Sequence, residues 1–162
     1  MVSSFQPKTT PICSSKIVHK SSTLHPQARF VTEKAVCVMF QICVENIYTV
    51  ECWRYVVYVH GKGLSKFVSY ADFPPIIAVG TPTSQDCTKW RKRWRKHHSY
   101  TERKHAPHWW AEFFTLQFSA ATSESVLQTW WQLITLINFA FSSETLDQLR
   151  SSYNQKKTML WV

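Results

Sequence analysis

The fold prediction depends mainly on the stretch IYTVECWRYVVYVHGKGLSKFVSY, residues 47–70. It is rich in β-branched and aromatic residues, which pack well on a pleated sheet. Gly61, Lys62 and Gly63 interrupt it, and glycine supplies the positive φ that a tight hairpin loop requires. The stretch therefore predicts a β-hairpin with strands over residues 47–60 and 64–70.

Similar residue types lie on both sides of this hairpin. Residues 35–44 and 76–79 consist mainly of Val, Ile, Cys, Met and Phe, and they are bounded by Glu45-Asn46 and Pro74-Pro75. Such runs between turn residues are typical of strands. We expect a short antiparallel sheet within residues 33–80.

The periodicity becomes helical in residues 109–152. Apolar side chains recur three or four residues apart at Leu127, Trp130, Ile134, Ile137 and Phe141. Ser123-Glu124 and Ser143-Glu144 are typical helix starts. The fold class predicted is therefore α+β, with one or two C-terminal helices covering the sheet and a tail over residues 153–162.

Residues 1–32 have a different composition. They contain four basic residues, ten Ser or Thr and no acid. This predicts a disordered basic tail, and the same composition also fits an organellar targeting segment.

Positive charge is concentrated in the tract 81–108. The chain has a net charge of +9, and eight Lys or Arg residues lie between Lys89 and His108 against one acid, Glu102. Such a block indicates a polyanion or an anionic membrane as partner. It also resembles a nuclear localisation signal in composition, so a nuclear import receptor is a further candidate partner.

Nucleic-acid binding is the function that this tract favours. Trp90 and Trp94 lie four residues apart, on one face of a helix, where their indoles could stack on unpaired bases while the cations meet phosphates. Docking of both tryptophans on the domain is the alternative. The candidate binding residues are Lys89, Trp90, Arg91, Lys92, Arg93, Trp94, Arg95, Lys96, Arg103 and Lys104.

Two other hypotheses stay open. Residues 125–143 carry no charge, so an apolar helix over 125–141 could place the chain at a membrane surface, although Gln128, Gln132 and Asn138 disfavour a spanning helix. Alternatively, three glycines and eight tryptophans also fit an orphan chain translated from sequence that was never selected as protein. Cooperative unfolding distinguishes a selected domain from such a chain.

Enzymatic and metal-binding motifs are not found in the sequence. It has no phosphate-binding loop, dinucleotide fingerprint or nucleophile elbow, so we expect no catalytic residue, cofactor or small-molecule substrate. His97, His98, His105 and His108 cluster among cations, which disfavours a metal site. Five irregularly spaced cysteines indicate free thiols and an intracellular location. Within the cell, the basic tract favours the nucleus, and the tail favours an organelle if it is a targeting segment.

Overall fold

A computed structural model describes residues 15–97 and 105–161, which form a four-stranded sheet and five α-helices. The predicted α+β class is confirmed. The elements are β1 (Ile17–His19), α1 (Glu33–Phe40), β2 (Ile47–Cys52), β3 (Val57–Gly61), β4 (Leu64–Val68), α2 (Ser84–His97), α3 (Trp109–Ala120), α4 (Glu124–Leu136) and α5 (Ser143–Leu160).

The predicted Gly-Lys-Gly hairpin joins β3 to β4. Gly61 pairs with Leu64 across the two strands, and Gly63 has a φ of 68°, in the left-handed region. A Cβ on Gly61 would lie 2.5 Å from the carbonyl oxygen of Asn46, because that backbone approaches closely from β2. Both glycines are therefore required by local geometry.

The predicted strand over residues 47–60 is two strands. β2 and β3 are separated by a turn in which the Trp53 N–H donates to the Val56 carbonyl at 2.9 Å. The turn has neither glycine nor proline, so composition did not reveal it. β2, β3 and β4 form the expected antiparallel arrangement.

The first strand comes from the segment predicted to be disordered. β1 pairs with β2 in parallel at the edge of the sheet, and residues 26–30 form a 3-10 helix that buries Phe30. The prediction of a disordered tail is therefore wrong for residues 15–32, which gain sheet hydrogen bonds and core contacts. Residues 1–14 of that tail lie outside the described residues.

Two other predicted strands were wrong. Residues 35–40 belong to α1, which the Thr32 hydroxyl caps by accepting from the Ala35 N–H at 3.1 Å, and residues 41–44 follow the helix. Ala35 and Val36 are buried, and α1 packs against α3, so tertiary contacts override the strand preference of β-branched residues. Residues 76–79 form a turn after the two prolines.

The helical periodicity of the C-terminal part is confirmed, since all five side chains of the predicted apolar face are buried. Ser123 and Ser142 cap α4 and α5 by accepting from the N–H groups of Val126 and Thr145. Three helices form instead of one or two, and α5 continues through most of the predicted tail 153–162. Within the described residues, no helix has both the length and the apolar character needed to cross a membrane.

Candidate functional site

The basic tract forms α2, which begins with a capping box. The Thr83 hydroxyl accepts from the Asp86 N–H at 3.2 Å, and the Asp86 carboxylate accepts from the Thr83 N–H at 2.9 Å. Asp86 is buried and also pairs with Arg29 from the 3-10 helix over 26–30. The one acid of α2 is therefore committed to the helix start and to Arg29, and it does not neutralise the cations that follow.

Trp90 and Trp94 anchor α2 in the core. Their side chains are 0% and 2% exposed, and both meet the ring of Trp110 edge to face, with centroids 5.7 and 5.4 Å away. Phe30 and Phe139 contact them from the other elements. The stacking of these indoles on bases, expected from the sequence, is therefore wrong for this surface, and they dock on the domain instead.

Asp72 fixes the rotation of α2. Its carboxylate receives two hydrogen bonds from the Arg93 guanidinium, at 3.1 and 3.3 Å, and one from the Ser69 N–H at 3.0 Å. Its carbonyl accepts from the Trp110 indole at 3.0 Å. Asp72 thus connects α2 and α3 with the segment that follows β4.

The remaining cations project away from the core. At about 100° per residue, the two buried tryptophans define the inner side of the helix, and the other basic positions spread over the outer side. Among residues 15–97 and 105–161, none of these cations has a carboxylate within ion-pair distance. We call this set the cationic face: Lys89, Arg91, Lys92, Arg95 and Lys96.

One side of the cationic face borders a concave groove of about 220 Å³. Three lysines of α2 stand along it at helical spacing, and Arg93 lies beside them. The opposite wall comes from the 3-10 helix over 26–30, the β2–β3 turn and the end of β4. The lining residues are His25, Gln27, Tyr55, Ser69, Tyr70, Ala71, Lys89, Lys92, Arg93 and Lys96; we call this the cationic groove.

Two stacked rings form part of the groove wall. His25 lies on Tyr70 with ring centroids 4.1 Å apart and planes 8° apart. Burial, followed by the charge of Lys89, lowers the pKa of His25 to about 4, whereas Asp86 opposes that shift. His25 is therefore neutral near pH 7, and its Nδ1 accepts from the Gln27 N–H at 3.0 Å. Burial also raises the pKa of the Tyr70 hydroxyl.

Besides the buried Trp90 and Trp94, the predicted site residues do not form a single cluster. Lys89, Lys92, Arg93 and Lys96 come together at the groove, whereas Arg91 lies on the other flank, 4.0 Å over the ring of Phe139. Arg95 is exposed on the outer side. Arg103 and Lys104, which were also predicted to bind, lie outside the described residues.

The sequence did not indicate the opposite wall of the groove. Tyr55, Ser69 and Tyr70 lie 34, 20 and 19 residues before Lys89, and no motif links them to the tract. The packing of the 3-10 helix Tyr70–Asp72, which follows β4, against α2 brings this wall to the tract.

Metal and thiol chemistry have little support at this site. In the described part of the chain, no group of three His, Cys, Asp or Glu side chains could hold a metal ion. Cys37, Cys43, Cys52 and Cys87 are free, and burial raises the pKa of the Cys37, Cys52 and Cys87 thiols. A raised pKa lowers the thiolate fraction on which nucleophilic reactivity depends.

Comparison of the chain with protein-family models, with curated proteins and with solved structures found no match. At the site, Lys89, Lys92 and Lys96, which have no carboxylate partner among the described residues, border a polar groove together with Arg93.

Proposed function

We propose that the chain is a non-enzymatic binding protein whose ligand is a phosphate-bearing polyanion, held along the cationic face of α2. The supporting observation is that five Lys or Arg side chains project from one anchored helix without a carboxylate partner among the described residues. Phosphate oxygens supply the missing countercharge, and binding releases the counterions that the polyanion has condensed.

Because α2 is anchored in the core, the cationic face does not need the ligand in order to form. Six pairs of like charges lie three or four residues apart on α2, and at about 0.2–0.5 kcal/mol each they oppose the helix by roughly 1–3 kcal/mol. Burial of Trp90 and Trp94 contributes roughly 4–6 kcal/mol each, less about 1–3 kcal/mol for each indole N–H that lacks a hydrogen-bond partner in the described structure. At the central values of these ranges, the burial of the two tryptophans outweighs the charge repulsion within α2. The helix and its cations are therefore ordered before a ligand binds.

The groove supports a strand-like ligand. Lys89, Lys92 and Lys96 form a row along its length, and each ammonium can turn to meet a phosphate. Arg93 is held by Asp72 and adds charge at a fixed position. Successive phosphates of a polymer match such a row better than a single small anion does.

The test compares two triple variants with the same net charge. The groove variant is Lys89→Gln, Lys92→Gln and Lys96→Gln, and the control is Lys20→Gln, Lys34→Gln and Lys62→Gln, all exposed positions outside α2. Fluorescence anisotropy with a labelled single-stranded oligonucleotide of about 12 nucleotides gives Kd across a salt series. The slope of log K against log salt counts the phosphates that the cations neutralise.

We expect the groove variant to bind roughly 10–100-fold more weakly at low salt, with the slope reduced by about 2 for three lost contacts. The control should lose much less affinity. Equal losses in both variants would show that net charge alone attracts the ligand, and unchanged affinity in the groove variant would refute the proposal.

A further inference from the structure

A band of exposed aromatic side chains begins beside the cationic groove. Tyr55 in the β2–β3 turn is 76% exposed and lines the groove, and Trp53 precedes it at 43%. Phe67 on β4 is 69% exposed. Large apolar side chains are seldom this exposed together unless they form a binding surface.

The sheet register places this band next to the cations. Val57 pairs with Val68 at the end of the β3–β4 ladder that leads into Ser69 and the groove. Tyr58 and Phe67 form the next pair, about 3.3 Å further along, and point to the opposite face from the buried Val57. The half-buried Tyr58 and the exposed Phe67 are therefore only one residue pair further from the groove than Val57 and Val68.

The rings of this face are held in place by one another. Tyr58 and Phe67 have centroids 4.9 Å apart, and the Tyr58 hydroxyl lies 2.5 Å from that of Ser65. His60 continues the face, with Tyr58 and Tyr48 at 6.2 and 5.2 Å. Ordered rings bind a flat ligand without the entropy loss of fixing them first.

Charge decides what this face can bind. Arg54 lies over the Tyr55 ring at 5.1 Å, and Glu51 stands opposite Tyr58 in the register. A carboxylate at that position repels a phosphate but not an uncharged base. The cations of α2 and the rings of the sheet thus suit two different parts of one ligand.

We infer that the polyanion is single-stranded nucleic acid, with phosphates on α2 and unpaired bases stacked on Tyr55 and on the Tyr58–Phe67 pair. Every base offers an aromatic face, so such stacking is tolerant of sequence, and a duplex keeps its bases unavailable for it. This inference rests on the proposed function for the phosphate contacts.

The experiment uses the full chain and three probes. The aromatic variant is Tyr55→Ala with Phe67→Ala, and the control is Met159→Ala with Trp161→Ala, two side chains of α5 and its end that are 68% and 73% exposed. The probes are a single-stranded oligonucleotide, an abasic oligonucleotide of the same length and inorganic polyphosphate with the same number of phosphates. Anisotropy or competition gives Kd for each combination.

We expect the aromatic variant to bind the oligonucleotide at least roughly 25-fold more weakly, since each stacked base contributes a factor of about 5 or more. Its affinity for the abasic strand and for polyphosphate should stay within about twofold, and the control should bind all three like the wild type. For the wild type, the Kd for the abasic strand should exceed the Kd for the normal strand. This ratio should equal the factor by which the aromatic variant weakens binding of the normal strand.

Other outcomes overturn the inference. If the aromatic variant binds the oligonucleotide as tightly as the wild type, stacking is refuted while the proposed function stands. Equal losses of affinity for all three probes would also refute it, because the rings would then affect only the phosphate contacts of the cations and not the binding of bases. If the wild type binds none of the probes, the proposed function fails as well. A dimer that the aromatic variant dissociates, with oligonucleotide binding unchanged, would assign the face to a second copy of the chain.

Discussion

Replacement of Trp90 by phenylalanine should cost little stability, whereas the same replacement at Trp110 should cost much more. Both indoles are fully buried, and they contact each other edge to face. The hydrogen bonding of their N–H groups differs: the Trp110 N–H donates to the Asp72 carbonyl, and the Trp90 N–H has no partner among the described residues. The pair therefore compares a hydrogen-bonded indole with an unpaired one within the same cluster.

The magnitudes follow from this difference. Each substitution removes similar apolar volume, which costs about 1–2 kcal/mol. At Trp90 the loss of an unpaired buried donor returns about 1–3 kcal/mol, so we expect a net change below about 1 kcal/mol. At Trp110 a hydrogen bond is lost and the Asp72 carbonyl loses its partner, so we expect destabilisation of about 2–4 kcal/mol.

Urea denaturation followed by far-ultraviolet circular dichroism measures both free energies of unfolding, and equal m-values confirm that the comparison concerns stability alone. If the two variants are destabilised equally, or the Trp90 variant more, then the Trp90 indole has a hydrogen-bond partner and the description of the α2 anchor is wrong.

Three further predictions follow from the fold and the groove. The pKa of His25 is about 4 in the folded chain and about 6.5 in the unfolded chain, so its contribution to stability is complete above pH 6.5 and is lost as the pH falls toward 4. Between pH 7 and 5 the free energy of unfolding of the wild type, measured by thermal denaturation, should therefore fall by about 1 kcal/mol more than that of the His25→Asn variant. Gly61→Ala should lower the free energy of unfolding by at least about 2 kcal/mol, because its Cβ would lie 2.5 Å from the carbonyl oxygen of Asn46, just before β2. A loss below about 0.5 kcal/mol in urea denaturation would contradict that contact. Asp72→Ala should destabilise the chain by about 2–4 kcal/mol and lower its affinity for the oligonucleotide, because Arg93 would lose its carboxylate partner and the Ser69 N–H its capping bond. A stable variant with wild-type Kd would show that Asp72 does not position α2.

The parts of the fold that were predicted correctly depend on local rules. Two glycines separate strands in the β3–β4 hairpin, and the apolar period of α4 follows a single buried face. Local rules fail where tertiary contacts decide. Residues 35–44 have strand composition, yet a Thr32 cap and packing on α3 make residues 35–40 helical.

At the site, too, local rules predict only a part. The sequence indicated the cations as a charge block, but it did not indicate the direction in which each side chain points. Trp90 and Trp94 are four residues apart whether they face a ligand or the core, and only the presence of Trp110 and Phe139 decides for the core. The groove wall required contacts across more than sixty residues, between His25 and Lys89, which no spacing rule expresses.

Consistency between sequence and structure bears on the hypothesis of an unselected chain. Hydroxyl side chains cap α1, α4 and α5, and the buried carboxylate of Asp86 has both a capping bond and an arginine partner. Local choices that agree with the global fold favour a single native state. We therefore expect one cooperative unfolding transition rather than gradual melting.

The shape of the site separates a strand-like ligand from a membrane surface. The apolar residues of α4 that would enter a lipid interface, including Leu127, Leu133 and Ile134, are buried in the core. A bilayer presents its headgroups in a plane, whereas three lysines of α2 border a groove whose opposite wall includes Tyr55. A flexible single strand can follow the groove and then turn its bases to the sheet. The proposed placement of phosphates on α2 and of bases on the sheet therefore favours nucleic acid over an anionic membrane.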